Sequence, residues 1–173
     1  KISIVSRGVA ALGYTLNMPV EDRYLMTRAE LLDTLCGMLG GRAAEDIVFN
    51  EVSTGAANDL QQATEMVERM VKEYGMSDKL GLAARRESRT QQQYMGMGPG
   101  EREYSEATAR GIDEEVDRII AESYQRAKRT LEERRQALDR IVDVLFQREV
   151  MDGDELRSFL ATVAGADGET ATA

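Results

Sequence analysis

The sequence predicts a mainly α-helical domain with a small β-hairpin at its amino end, and three observations predict it. Apolar residues recur at intervals of three and four along most of the chain, which places them on single helix faces. Helix-start patterns head these runs, with Thr27 and Glu30 in a capping-box relation and Ser105 ahead of the longest run. Only the opening residues break the pattern: Ile2 and Ile4 alternate with Lys1 and Ser3, the period of a strand. The aromatic fraction of 5% and the absence of Trp favour the helical reading.

Taken in order, Lys1 to Val5 reads as a strand, Arg7-Gly8 as a turn, and Leu12 to Leu16 as the returning strand, closed by Pro19. Thr27 then starts a helix whose stripe is Leu31, Leu32, Leu35, Met38 and Leu39, continued by Ala43, Ala44, Ile47 and Val48. Gly40-Gly41 has two readings: a helix stop, or a place where another backbone packs close against a continuous or kinked helix. Ser53-Thr54-Gly55 makes a turn into a helix from about Ala56 to Tyr74, with Leu60, Ala63, Val67, Met70, Val71 and Tyr74 on one face and Gly75 as a left-handed cap. Residues 81–104, rich in Gln, Gly and Arg, read as a long loop, with 85–103 expected to be mobile. Ser105 caps a helix with the stripe Ile112, Val116, Ile119, Ile120, Ala127 and Leu131, and the charged run Glu132 to Arg135 marks a break. Leu138, Ile141, Val142, Leu145 and Phe146 define the next helix, and Asp152 with Glu155 starts a short one through Leu160. The domain is expected to span 1–162, with a disordered tail over 163–173.

With 173 residues, 42% of them hydrophobic, the chain suits one domain with one core. A formal charge of −9 argues against the phosphate-gripping footprint that nucleic-acid binding draws from clustered Lys and Arg, so no nucleic-acid partner is expected. Cys36 is the single cysteine, so an internal disulfide and a Cys-based zinc cluster are both excluded, and a buried, inert thiol is expected. No apolar run is long enough to span a bilayer and no signal peptide opens the chain, so the piece is expected to be soluble. It begins without Met in strand-like sequence, which suggests a start inside a longer protein.

Self-contained catalysis finds no residues to carry it. The chain has no His, which removes Ser-His-Asp and Cys-His nucleophiles and the commonest metal ligand. It has neither a G-x-x-x-x-G-K-[ST] phosphate loop nor a G-x-G-x-x-G, and Gly96-Met97-Gly98-Pro99-Gly100 fits neither. Most carboxylates fall opposite the apolar stripes and read as solvated helix faces. Asp59 stands apart, because steps of four, three and four from it reach Ala63, Met66 and Met70 on the apolar side. Two readings stay open for it: a first-turn acid favoured by the helix dipole, or a carboxylate bordering a buried face that needs a cation or donors.

Several blocks, in order and with matching spacing, resemble the peptidase domain of the FtsH family. They are Leu12-Gly13-Tyr14-Thr15, Glu21-Asp22-Arg23-Tyr24-Leu25, Gly40-Gly41-Arg42-Ala43-Ala44-Glu45, Ser53-Thr54-Gly55-Ala56-Ala57-Asn58-Asp59-Leu60 and Tyr74-Gly75-Met76-Ser77. Tyr104-Ser105-Glu106, Ile112-Asp113-Glu114-Glu115-Val116 and Asp152-Gly153-Asp154-Glu155-Leu156 continue the series to about residue 160.

The resemblance implies a helical zinc-peptidase domain in a homo-hexameric protein with an amino-terminal membrane anchor and an AAA-type ATPase ring that uses ATP and magnesium. The parent protein is then expected in the bacterial plasma membrane, or an organelle inner membrane, with its peptidase on the cytoplasmic or organelle-interior side. In the family, zinc is held by two histidines of an H-E-x-x-H helix and by the aspartate of the T-G-A-x-N-D block, which matches Asp59. That helix, with its general-base glutamate, normally precedes the strand that begins here at Lys1. The chain is therefore expected to contain no catalytic residue, to bind no zinc alone and to be inactive alone. Gly13, Tyr14 and Thr15 match an edge strand that could bind an extended polypeptide substrate by β-addition; from the residues alone, an ordinary hairpin strand fits equally well. Two other classes compete with the protease reading. One is a non-catalytic helical oligomerisation or interaction module; the other, a cation-binding regulator, lacks any EF-hand spacing.

Overall fold

A computed structural model describes residues 1–5, 14–15, 25–84 and 104–169, with residue 14 and residues 162–169 as backbone only. It is mainly helical, as the sequence predicts. Helices α1 (Arg28–Phe49), α2 (Ala57–Lys72), α3 (Glu106–Glu133), α4 (Arg135–Arg148) and α5 (Gly153–Glu169) carry most of the described chain, with short strands β1 (Ile2–Ser3), β2 (Tyr14–Thr15) and β3 (Val150–Met151). Where the sequence suggests one domain over 1–162, the chain divides into two compact units, residues 25–132 and residues 1–24 with 133–173. No described helix is long and apolar enough to cross a membrane.

The larger unit is built by three stripes. Leu35 and Leu39 of α1, Ala63, Val67 and Val71 of α2, and Ile112, Val116 and Ile119 of α3 form its buried core, flanked by Leu32, Met38, Leu80, Tyr104, Ile120 and Tyr124. Each fully buried aliphatic side chain contributes about 1.5–3 kcal/mol relative to exposure. The ends of the expected stripe, Leu60 and Tyr74, stay exposed: Leu60 lies in the first turn of α2, ahead of the core, and Tyr74 lies beyond the helix, which ends at Lys72.

Local signals set the helix ends. Thr27 closes a complete capping box: its Oγ1 accepts from Glu30 N at 3.3 Å while its own N–H donates to Glu30 Oε2 at 2.8 Å. α1 runs unbroken through Gly40-Gly41, and a Cβ at either glycine would meet nothing within 4 Å. The helix-stop reading is thereby corrected; the continuous helix of the other reading is found, but without a backbone packed close against the glycines among the described residues. Core contacts on both sides, at Leu39 and Ala43, hold the helix through the glycines. Gly75 takes φ +62 and Met76 N donates to Met70 O at 2.9 Å, the left-handed cap expected there. Ser105 caps α3 by accepting from Thr108 N at 3.3 Å, and the charged run breaks the helix at Arg134.

Not every acid of α3 is solvated. Glu115 lies at steps of three and four from Ile112 and Ile119, and is 0% exposed. Arg118 grips it with Nε and Nη2, each at 2.8 Å, and Ser77 Oγ donates to it at 3.0 Å. Ser77 Oγ also accepts from Leu80 N at 3.1 Å, so the segment that leaves α2 is pinned to α3. The guanidinium, followed by the hydroxyl, outweighs burial and holds the Glu115 carboxyl below the ordinary glutamate range. A second tie between distant segments is Asp46 of α1, which accepts from Tyr124 OH at 2.9 Å and Lys128 Nζ at 2.6 Å. Cys36 is half-buried, donates to the Ser123 carbonyl at 3.4 Å, and has its thiol pKa pushed up by burial, which keeps it protonated.

In the smaller unit the expected hairpin gains a strand. β1 pairs antiparallel with β2, Ile2 opposite Thr15 and Ser3 opposite Tyr14, and on its other edge with β3, Ile2 opposite Met151 and Ser3 opposite Val150. The order is β2-β1-β3. Glu149, at φ 62, turns α4 into β3, and its carbonyl accepts from Ile4 N at 3.0 Å. The capping-box start proposed for α5 is not seen among the described hydrogen bonds. Asp152 instead faces Lys1 Nζ at 3.5 Å, and Glu155 pairs with Arg148. The backbone of α5 stays helical to Glu169, beyond the expected end at Leu160, because Ala161, Ala164 and Ala166 favour helix. The turn at Arg7-Gly8, Pro19, the loop over 85–103 and residues 170–173 of the tail lie outside the described residues.

Two measurements test this core. Ile119→Ala or Leu35→Ala should cost roughly 2–5 kcal/mol in chemical denaturation, and less than half a unit would place these stripes in solvent. Glu115→Gln should cost on the order of 2 kcal/mol at neutral pH. Because the folded-state pKa of Glu115 is depressed, its contribution is present above the unfolded value of about 4.3 and is lost as pH falls through the folded value. The stability gap between wild type and variant should therefore narrow on acidification.

Candidate functional site

The site starts at the carboxy end of α1. Asn50, at φ 52, closes that helix by donating its N–H to Asp46 O at 3.0 Å, and the chain turns toward α2. Side chains one turn back from this end hold the turn. Glu45 Oε2 accepts from Ser53 N at 3.2 Å and Glu45 Oε1 from Ser53 Oγ at 2.5 Å, while Arg42 Nη1 donates to Ser53 O at 3.1 Å. The hydroxyl and then the amide of Ser53 pull the Glu45 carboxyl below its ordinary range, with Arg42 adding to the effect.

Ser53 Oγ in turn accepts from Gly55 N at 3.1 Å and caps a 3₁₀ turn over Thr54–Ala56. Ala57 N donates to Thr54 O, Ala56 is buried, and the chain passes directly into α2. Glycine suits position 55, since a Cβ there would lie 3.2 Å from Ser53 Oγ and 3.5 Å from Glu45 Oε1.

Asp59 sits in the first turn of α2, where the helix dipole favours a negative charge. It is exposed, which corrects the expectation of a carboxylate bordering a buried face: Ala63 and Met70 turn inward, and the helix starts before it reaches the core. Among the described residues its carboxylate has no hydrogen-bond or ion-pair partner. An open oxygen donor on a fixed turn suits one position of a zinc site, which takes carboxylate oxygens beside imidazole nitrogens. The described residues hold no group of three or more Asp, Glu or Cys able to bind a metal, so any site using Asp59 needs donors from outside them. Of the three residues matched to substrate binding, Thr15 is exposed on β2, Tyr14 is placed as backbone in the same strand, and Gly13 lies outside the described residues.

The model of peptidase family M41 matches residues 1–159. The chain belongs to peptidase family M41. Among the relatives of this M41 chain is the ATP-dependent zinc metalloprotease FtsH of Syntrophobacter fumaroxidans, 49% identical over 164 residues, covering 94% of this chain and 25% of the relative. The protein of that name from Pseudothermotoga lettingae is 51% identical over 169 residues, covering 96% and 27%. That from Burkholderia pseudomallei is 52% identical over 162 residues, covering 90% and 24%. The M41 chain thus spans about a quarter of the length of these relatives.

In this M41 chain, sequence reasoning singled out the T-G-A-A-N-D block but missed what holds it. Arg42 and Glu45 were legible only as part of a resembling block, and the contact they make is eight to eleven residues away along the chain. The pair Gly-Gly-Arg-Ala-Ala-Glu, within α1, and Ser-Thr-Gly, a short loop away, was the available signal. Gly55→Ala should press a methyl group on the Ser53 contacts and cost on the order of 1 kcal/mol, read by chemical denaturation, whereas Gly37→Ala, in open space within α1, should be neutral or stabilising.

Proposed function

We propose that this chain is part of the peptidase domain of an ATP-dependent zinc metalloendopeptidase, and that Asp59 is the third protein ligand to its zinc. The observation that carries the reading is the open carboxylate of Asp59, held on a clamped helix start inside the T-G-A-A-N-D block of an M41 chain. Membership in a peptidase family and relatives bearing the zinc-metalloprotease name support it.

On this reading the remaining zinc ligands, both histidines, and the general-base glutamate come from an H-E-x-x-H helix elsewhere in the full-length protein. Zinc bound there supplies Lewis acidity that polarises a peptide carbonyl. Asp59 contributes one hard oxygen and a negative charge that offsets part of the cation's. Tyr14 and Thr15, on the edge strand β2 of the described sheet, together with Gly13 before them in sequence, would offer backbone N–H and C=O groups to an extended polypeptide. The full-length protein acts as a homo-hexamer anchored in a bacterial plasma membrane or an organelle inner membrane, where an ATP- and magnesium-dependent AAA ring delivers unfolded or tagged membrane and soluble proteins. The isolated chain, with one candidate ligand and no histidine, binds zinc no better than a surface carboxylate and cleaves nothing.

Asp59→Ala in the full-length protein should abolish stoichiometric zinc and casein degradation while leaving the helical circular dichroism intact. Full zinc occupancy together with full casein degradation in that variant would return Asp59 to the role of a first-turn acid.

A further inference from the structure

The turn that leads into Asp59 has little apolar burial to hold it. Residues 50–55 are exposed, Ala56 is buried, and the next buried side chain is Ala63, so the first turn of α2 projects beyond the core. Polar contacts hold it instead. All three polar groups of Ser53 are taken by two side chains of α1: its N–H and Oγ–H by Glu45, and its carbonyl by Arg42. Ser53 Oγ then fixes Gly55 N, and Thr54 O fixes Ala57 N. The base of this chain of contacts is rigid, because Leu39 and Ala43 of the same helix are fully buried.

We propose that Glu45, assisted by Arg42, is a positioning residue for the metal ligand Asp59. It transmits the fixed orientation of α1 through Ser53 to the first turn of α2. The proposal rests on the reading of Asp59 as a zinc ligand. Its physical basis is that a metal site requires its donors to be held within about 0.5 Å of the productive geometry, and the groups that orient a ligand commonly govern metal retention.

Glu45 is suited to this role and not to direct ligation. Both of its oxygens are engaged by Ser53, and Arg42 Nη1 stands 3.8 Å from Oε2, so its charge is already partnered. Asp59 differs in having its carboxylate open to solvent.

The test uses the full-length protein, loaded with zinc or with cobalt as a spectroscopic probe, and four readouts: metal stoichiometry, release rate to a chelator, the visible cobalt spectrum, and melting of the metal-free protein. Glu45→Ala should keep one zinc per chain, release it about 10–100-fold faster and change the cobalt spectrum, with little change in metal-free melting. Glu45→Gln, which keeps one acceptor oxygen for Ser53, should release at an intermediate rate, and it carries the test if the alanine variant does not fold. The double variant Glu45→Ala with Ser53→Ala should release zinc more slowly than the product of the two single effects, since the Glu45–Ser53 contact is lost in both, while Ser53 Oγ also holds Gly55 N. Wild-type release and spectrum in Glu45→Ala, or additive effects in the double variant, would overturn the positioning role while leaving Asp59 a ligand. Loss of stoichiometric zinc from folded Glu45→Ala would overturn it by making Glu45 a ligand itself. Full zinc in Asp59→Ala overturns the ligand reading, and the positioning role with it.

Discussion

The seam where three helices meet is the constraint on which the larger unit depends. Leu35 and Leu39, Val67 and Val71, and Ile112, Val116 and Ile119 bury one another, and no one of these stripes could be left in water without a large loss of stability. Sharing a core fixes the faces of α1, α2 and α3 together. Once the apolar face of α1 is committed inward, Arg42 and Glu45 are left on its flank near its carboxy end, where the chain turns back toward α2. The tolerance of α1 for three glycines follows from the same seam, because tertiary contacts supply what helix propensity does not.

Polar contacts divide into two kinds. Exposed i,i+4 pairs such as Arg135 with Asp139 decorate helix surfaces and contribute a few tenths of a kcal/mol. Others join segments far apart in the chain: Ser77 with Glu115, and Asp46 with Tyr124 and Lys128. These bind loop ends and helix flanks to the core and give the three-helix unit a specific arrangement beyond apolar packing. The clasp of Ser53 by α1 belongs to this second group, although it spans only a short loop. It acts where apolar contacts thin out, at the exposed start of α2.

On the proposed reading of Asp59, this arrangement separates the body of the domain from the residue offered to a metal. The core stabilises, and the first turn of α2 is exposed. A group at the edge of a core is not oriented by packing, and polar contacts carry that part of the structure. The smaller unit follows a different logic, in which backbone pairing of three two-residue strands brings the amino end of the chain beside the segment after α4.

The sequence by itself determined the helices and several of their ends. The Thr27 capping box, the Gly75 cap, the Ser105 cap and the break at Arg134 each depend on residues within one helical turn, so a local reading reaches them. The ordered blocks also determined the family, and with it the interest in Asp59. Only the tertiary structure decided the third strand, since Ile2 pairs with Met151 across nearly the whole chain and a two-residue strand leaves no periodicity to detect. It also decided that Glu115 is buried, which its spacing from Ile112 and Ile119 permits but its charge argues against until Arg118 and Ser77 are in place. The exposure of Asp59 and the grip of Glu45 on Ser53 belong to the same class. Both depend on where α1 ends relative to the start of α2, a distance set by the packing of the core and invisible to patterns read along a single helix.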